Sequence, residues 1–279
     1  SYEGSWQFLP FFWSNGADET DIASSAAAGA LQLWVDLVNE GSASSGVLNW
    51  GQGDVGEQFT SGKAAMVING PWQTITFDQS DINWAVAEIP VPKAGDTLIA
   101  PLGGEVWTVP QTGNKDRQAK AAELLTELLS ASRQLSLNTE RYTIPTDSQD
   151  DADYLKELPQ MSSLVESVNN GRARTAKLGE AWPKTAEALY NAIQSALTGK
   201  ASAQAALETA TVQMFAYEAR SAALPDLHVL RTVRHVEQLL ALLSRQGGLF
   251  GLAGALLRAA HPALLAGAFT GSAAVQGMR

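Results

Sequence analysis

Residues 56–72, GEQFTSGKAAMVINGPW, decide how this chain is read, because they set a short amphipathic helix, an apolar run and an abrupt turn end to end. Glu57 to Ser61 predicts the helix, and Gly62 stops it, since glycine takes the left-handed backbone that a helix C-terminus needs. Ala64 to Ile68 predicts a buried strand and Asn69-Gly70 a turn. Pro71 predicts the first residue of a new helix, where the missing amide donor costs nothing. Trp72 then falls in the first turn of that helix, at the C-terminal edge of a sheet. Open α/β sheets bind ligands at that edge, so the indole is offered there as a stacking surface. Local pattern alone favours a Trp that fills a core, because large aromatics do so more often than they meet ligands.

Outward from this stretch, helix and strand signals alternate. Asp21 and Ser24 open a helix over 21–40 whose Leu31, Trp34, Val35 and Val38 recur at i, i+3, i+4 and i+7 before Gly41 ends it. Trp84 to Ile89 and Glu105 to Val109 predict two further strands, each closed by a proline. Asn114 caps the next helix, which carries an apolar stripe of Ala121, Leu124, Leu125 and Leu128 and ends near Ser132. After Pro145 the spans Tyr154 to Leu158, Ser162 to Asn169, Trp182 to Thr198 and Ala201 to Thr209 all predict helices. Such an order predicts an α/β sheet covered by a helical layer, with a helical C-terminal half. The opening SYEGSWQFLPFFWSNG reads as an aromatic loop without the basic and apolar regions of a signal peptide. A chain that opens so, with no initiator Met, is expected to continue a longer protein.

Of the 279 residues 45% are hydrophobic and 17% charged, the balance of a soluble globular protein of one large or two modest domains. A net charge of -10 argues against a nucleic-acid partner, which selects Lys- and Arg-rich faces. The absence of cysteine excludes disulfides, thiolate metal sites and a Cys nucleophile. No metal, cofactor or catalytic template is predicted. The histidines, His228, His235 and His261, are isolated, no GxSxG elbow occurs, and Gly51 to Gly53 and Gly103-Gly104 lack phosphate-loop spacing. No carboxylate pair of a glycosidase stands out. What remains is aromatic. Trp34 and Trp84 lie in apolar runs and read as core. Trp6, Trp72 and Trp182 lie beside Gly4, Pro71 and Pro183, and an indole near a turn suits the CH-rich face of a pyranose. Arg172 and Arg174 are the nearest candidates for a phosphate and read as solvated surface charges. From residue 211 onward the composition shifts to Ala, Leu and Arg, with six Arg, no Lys and only Glu218, Asp226 and Glu237 as acids.

FTSGKAAMVINGPW, followed by NWAVAEIPVP, APLGGEVWTVP, NKDRQAKAAELLTELLS and GKASAQAALETA, resembles the extracellular solute-binding proteins (family 1) of ABC sugar importers, the maltose-binding-protein-like group. It matches their C-terminal two thirds, over about residues 4 to 210. The resemblance implies a periplasmic-binding-protein-like (type II) two-lobe α/β fold, here truncated, whose first lobe and lipid-anchor region would precede residue 1. Residues 1–104 would form a second-lobe α/β segment, 105–140 the returning segment of the first lobe and 141–210 a helical segment of the second lobe. Residues 211–279 form an atypical Ala-, Leu- and Arg-rich tail without a counterpart, expected to be non-native or disordered.

The implied function is the substrate-binding component of a carbohydrate ABC importer: a monomer, not an enzyme and without a cofactor, lipid-anchored at the periplasmic or extracellular surface. It would hold a sugar or oligosaccharide between the lobes and dock on the permease subunits. Trp6, Trp72 and Trp182 would stack on the sugar, Gly103 and Gly104 would bring backbone close to it, and Glu105 would contact a hydroxyl. The alternatives are the same fold binding glycerol phosphate or a polyamine, and a carbohydrate-active enzyme. With half of the cleft wall upstream, the chain is expected not to bind with native affinity, and the Leu124, Leu125 and Leu128 face to be exposed or repacked.

Overall fold

A computed structural model describes residues 4–222 of the chain. Its principal core is helical. Helix α1 (Gly4–Ser14) buries Phe8, Leu9, Phe12 and Trp13, a spacing that puts all four on one side of the helix. The opening is therefore a helix and not the expected aromatic loop. Four large apolar side chains at helical spacing outweigh Pro10, which cannot donate to the carbonyl one turn back. Helix α2 (Ser25–Asn39) starts where Ser24 accepts from the Ala27 amide and inserts Leu31 into the core, with Trp34 edge-on to Phe8 at 5.2 Å between ring centroids.

Further along the chain, α3 (Gln52–Thr60) ends at Gly62, whose φ of 71° lets its amide reach the Phe59 carbonyl. A 3-10 turn opens at Pro71 and runs into α4 (Thr74–Asp78). Strand β1 (Ala100–Leu102) precedes α5 (Lys115–Leu128), which starts where the Asn114 side chain accepts from the Arg117 amide at 3.0 Å. The helix expected to end near Ser132 stops at Leu128, and α6 (Ala131–Arg141) begins separately. Helix α5 has no buried residue, and Leu124 on it is 58% exposed.

Helices α7 (Asp151–Glu157) and α8 (Ser162–Val168) enclose a small second core of Tyr154, Leu158 and Met161. After strand β2 (Gly171–Ala173), α9 (Trp182–Leu197) and α10 (Ala203–Ala222) pack on each other and on α1 and α2, burying Leu189, Ile193 and Leu207. Each such side chain taken fully from water contributes about 1.5–3 kcal/mol. Helix α10 continues through residue 211, where the composition changes, and residues beyond 222, with all three histidines, lie outside the described part.

The sheet differs from expectation. Strands β1 and β2 pair in parallel, Ala100 with Gly171, Pro101 with Arg172 and Leu102 with Ala173. Among the described residues they form the one two-stranded sheet. Ala64 to Ile68, Trp84 to Ile89 and Glu105 to Val109 carry no strand pairing there. A strand is defined by the neighbour that takes its amides and carbonyls, and an apolar run alone does not supply one. Their side chains register the lack: Met66 is 88% and Val106 84% exposed.

Candidate ligand-binding site

The C-terminal ends of β1 and β2 lie side by side, Leu102 pairing with Ala173, and Gly103 and Arg174 are the residues that follow them. Helix α1 packs on β1 and brings Trp6 to the same edge. The approach of Trp6 to Gly103 is close: a Cβ on residue 103 would lie 2.5 Å from Cη2 of the indole, so a side chain there would have to displace the ring. The Arg174 guanidinium lies over the Trp6 ring, its Cζ 3.8 Å from the ring centroid. That is a cation–π contact, worth roughly 0.5–2 kcal/mol according to desolvation. Indole, guanidinium and bare backbone thus meet at one sheet edge. Together they offer an apolar face, planar hydrogen-bond donors and backbone amides.

Deeper along the same strand and helix a second pair repeats the contact. Arg172, two residues before Arg174, lies over Trp13, seven residues after Trp6, with Cζ 4.8 Å from the ring centroid. Both arginines lie on indoles of helix α1, whose two turns between Trp6 and Trp13 put both rings on one face. This inner pair is sealed by acids. Glu19 is wholly buried; its Oε2 accepts from Arg172 at 2.6 Å and from Trp13 Nε1 at 3.0 Å, while Oε1 has no hydrogen-bond partner among the described residues. Asp18 accepts from Arg172 at 3.3 Å, from Lys177 and from the Thr20 amide. Burial would raise the Asp18 carboxyl, but these donors outweigh it and hold it well below the usual carboxylate range. The expectation that Arg172 is a solvated surface charge is corrected: its side chain is 21% exposed and anchors β2 to the loop after α1. Arg174 is likewise laid on an indole.

The remaining expected residues are placed elsewhere. Trp72 is 40% exposed on the turn before α4, its ring folded over Gly70, where a Cβ would lie 2.1 Å from Cη2. The turn is fixed by Asn69, which donates to the Gln52 carbonyl at 2.8 Å, and by Thr74, which donates to the Pro71 carbonyl at 2.7 Å. Gly104 and Glu105 are exposed on the extended segment after β1. Trp182, expected as a third stacking surface, begins α9 at 3% exposure within the helical core, its Nε1 without a hydrogen-bond partner among the described residues. Its position beside Pro183 reads as a turn in sequence, but Pro183 is an early helical residue and the ring is drawn inward with Thr185, Ala186 and Leu189. Sequence reasoning missed the Glu19 network and the arginine on Trp6. The only local sign was two arginines at strand spacing, Arg172 and Arg174. The described residues contain no group of three or more acidic or histidine side chains able to hold a metal, and no helix among them is long and apolar enough to cross a membrane.

A separate hollow of about 380 Å³ lies between the end of α4 and Trp84, lined by Asp78, Asn83 and Gln160 among others. Tyr142 donates to Asp78 at 2.6 Å at the same end of α4, and the bond raises the phenol above its ordinary value.

Comparison with known proteins places these features. The profile of the bacterial extracellular solute-binding protein family matches residues 2–163, more than half of the chain. The maltooligosaccharide ABC transporter solute-binding lipoprotein of Streptococcus pneumoniae (strain ATCC BAA-255 / R6) is 30% identical over 129 residues, 44% of this chain and 29% of that protein. The galactooligosaccharide-binding protein of Bacillus subtilis (strain 168) is 24% identical over 167 residues, 57% of this chain and 39% of that protein. The chain thus spans less than half the length of either relative. Among solved structures, maltose-bound T. maritima MalE3 superposes with a TM-score of 0.66 at 24% identity, covering 76% of this chain and 57% of that one. The cyclic alpha-maltosyl-1,6-maltose binding protein of Arthrobacter globiformis gives 0.60 at 25% identity, covering 77% and 56%. The fold is therefore α/β of the periplasmic-binding-protein (type II) kind.

Proposed function

From the fact that this chain belongs to the bacterial extracellular solute-binding protein family, we propose that it is the saccharide-binding component of an ABC importer. It binds a sugar or short oligosaccharide, carries out no chemistry on it and delivers it to a membrane permease. The observation that carries this reading is the convergence of Trp6, Gly103 and Arg174 at the C-terminal edge of a parallel strand pair. An indole face packs on the CH face of a pyranose, while guanidinium and backbone groups meet its hydroxyls. The named ligands of the relatives, maltooligosaccharide and galactooligosaccharide, support a carbohydrate. We further propose that Trp72, two fifths exposed, adds a second stacking surface, that Gly104 and Glu105 border the ligand, and that Trp182 reaches it only through rearrangement of the start of α9. The protein works outside the cytoplasmic membrane, as the lipoprotein relative's name suggests.

Calorimetric titration of the full chain with maltotriose and with a galactooligosaccharide, from micromolar to millimolar, tests the proposal. Saturable binding that falls at least about tenfold in Trp72→Ala, with the unfolding midpoint little changed, supports it. Tenfold corresponds to about 1.4 kcal/mol, within the range of one lost aromatic contact. Equal loss of binding and stability would return Trp72 to a core role, and binding of glycerol phosphate or a polyamine in place of sugars would overturn the ligand class.

A further inference from the structure

The hollow of about 380 Å³ at the end of α4 also sets an indole among polar side chains, and it uses none of the residues of the Trp6 edge. Trp84, half-buried in its wall, stands edge-on to Phe77 with 5.8 Å between ring centroids, and Phe77 stands edge-on to Phe59 at 5.0 Å. The indole is therefore fixed by packing. Asp78 is fixed by hydrogen bonds: its Oδ2 accepts from Tyr142 at 2.6 Å and from Gln160 at 3.3 Å. Tyr142 reaches it across 64 residues of sequence from a backbone φ of 54°, the one positive φ outside glycine among the described residues. A bulky residue is strained there, and such strain persists where the surrounding structure holds a group in place.

Hydrogen-bonding capacity is left over in this wall. Oδ1 of Asp78, Oε1 of Gln160 and the side-chain amide of Asn83 have no partner among the described residues. The geometry points to a second saccharide site: one pyranose unit packs its CH face on Trp84, Asp78 and Gln160 accept from its hydroxyls, and Asn83 both donates and accepts. Carboxylate and carboxamides together supply acceptors and donors, which suits hydroxyls, since each is both. A simple cation would use the acceptors alone. The volume lies near the lower end for small-molecule sites and matches a single ring better than an oligosaccharide. The inference goes beyond the reading of the Trp6 edge, and it stands even if that edge binds nothing.

Proton–nitrogen NMR of the full chain, whose eight tryptophans each give one indole N–H signal, tests it with glucose and galactose. The Trp84 signal is identified by its loss in Trp84→Phe. It should shift saturably with at least one of the two sugars at millimolar concentration. Asp78→Asn and Asn83→Ala should each weaken that response about tenfold, the loss of one hydrogen-bonding group, with unfolding midpoints near the parent because both side chains are exposed. The maltotriose response of the Trp6 and Trp72 signals should be the same in both variants. A Trp84 signal that ignores both sugars, a response that survives in either variant, or a shift with spermidine in place of the sugars overturns the inference. Silence of Trp6 and Trp72 toward maltotriose counts against the saccharide reading of the Trp6 edge alone.

Discussion

Glu19→Ala is the sharpest test of how the site is held. Three consequences can be worked from the geometry. Trp13 Nε1 loses its acceptor at 3.0 Å, and an orphaned buried donor costs about 1–3 kcal/mol. Arg172 loses its closest carboxylate, at 2.6 Å, and removing one partner of a buried pair costs about 3–5 kcal/mol. Against these, Asp18 remains 3.3 Å from the guanidinium, and Oε1 of Glu19, buried without a partner, stops being a desolvated oxygen. Asp18 and the removed oxygen pull the sum toward the lower end, so a loss of about 3 kcal/mol is expected. Urea unfolding followed by tryptophan fluorescence and far-ultraviolet circular dichroism measures it, provided the slope with denaturant is unchanged. Glu19→Gln keeps an acceptor for Trp13 and should fall between. Replacing Glu19 and Arg172 together by Met should bring the protein closer to the parent than either single replacement, because no charge is then left buried. A loss under about 1 kcal/mol in Glu19→Ala, or strictly additive Met replacements, would refute the view that this network holds β2 in place.

Gly103→Ala should press on Trp6, since the new methyl would lie 2.5 Å from the ring; sugar affinity should drop about tenfold in calorimetry while the helical core melts at nearly the same temperature. Stability should also depend on acidity through Asp18. Its carboxyl titrates lower folded than unfolded, so its contribution is fully present above the unfolded value near 4 and is lost as pH falls toward the lower folded value. Unfolding midpoints measured from pH 6 to pH 3 should decline, and less steeply in Asp18→Asn; parallel curves would remove Asp18 from the account.

Helices announced by a periodic stripe and a capping residue were legible in the sequence. Helix α2 begins at Ser24 and buries Leu31, α5 is capped by Asn114, and Pro71 opens its turn as read. Those signals are local, and local physics settles them. Strands were misread because pairing is not local: the runs at 64–68, 84–89 and 105–109 have strand composition but pair with no strand among the described residues, while β1 and β2 are short and contain Pro101 and Gly171. Helix α1 was hidden by Pro10, which argues for a loop until four buried aromatic and aliphatic residues are counted against it. For the site, the resemblance pointed to Trp6 and Gly103, which the structure brings together. It could not show that Trp182 is sunk in the core, nor that residues 153 positions apart, Glu19 and Arg172, share a buried bond.

The β1–β2 pair has one more consequence, for the order in which the molecule assembles. Its two strands are separated by about 70 residues, so everything from α5 to α8 is an excursion that leaves one sheet edge and returns to the adjoining position. Closing such a loop costs about 4 kcal/mol of chain entropy, far more than a three-residue ladder formed early could offset. Local helices should therefore form first, and β2 should dock late, once Arg172 finds Glu19. Because Arg174 follows the same strand, its contact with Trp6 is completed only by that last step. A partly folded chain would already have its helices but not the meeting of Trp6, Gly103 and Arg174.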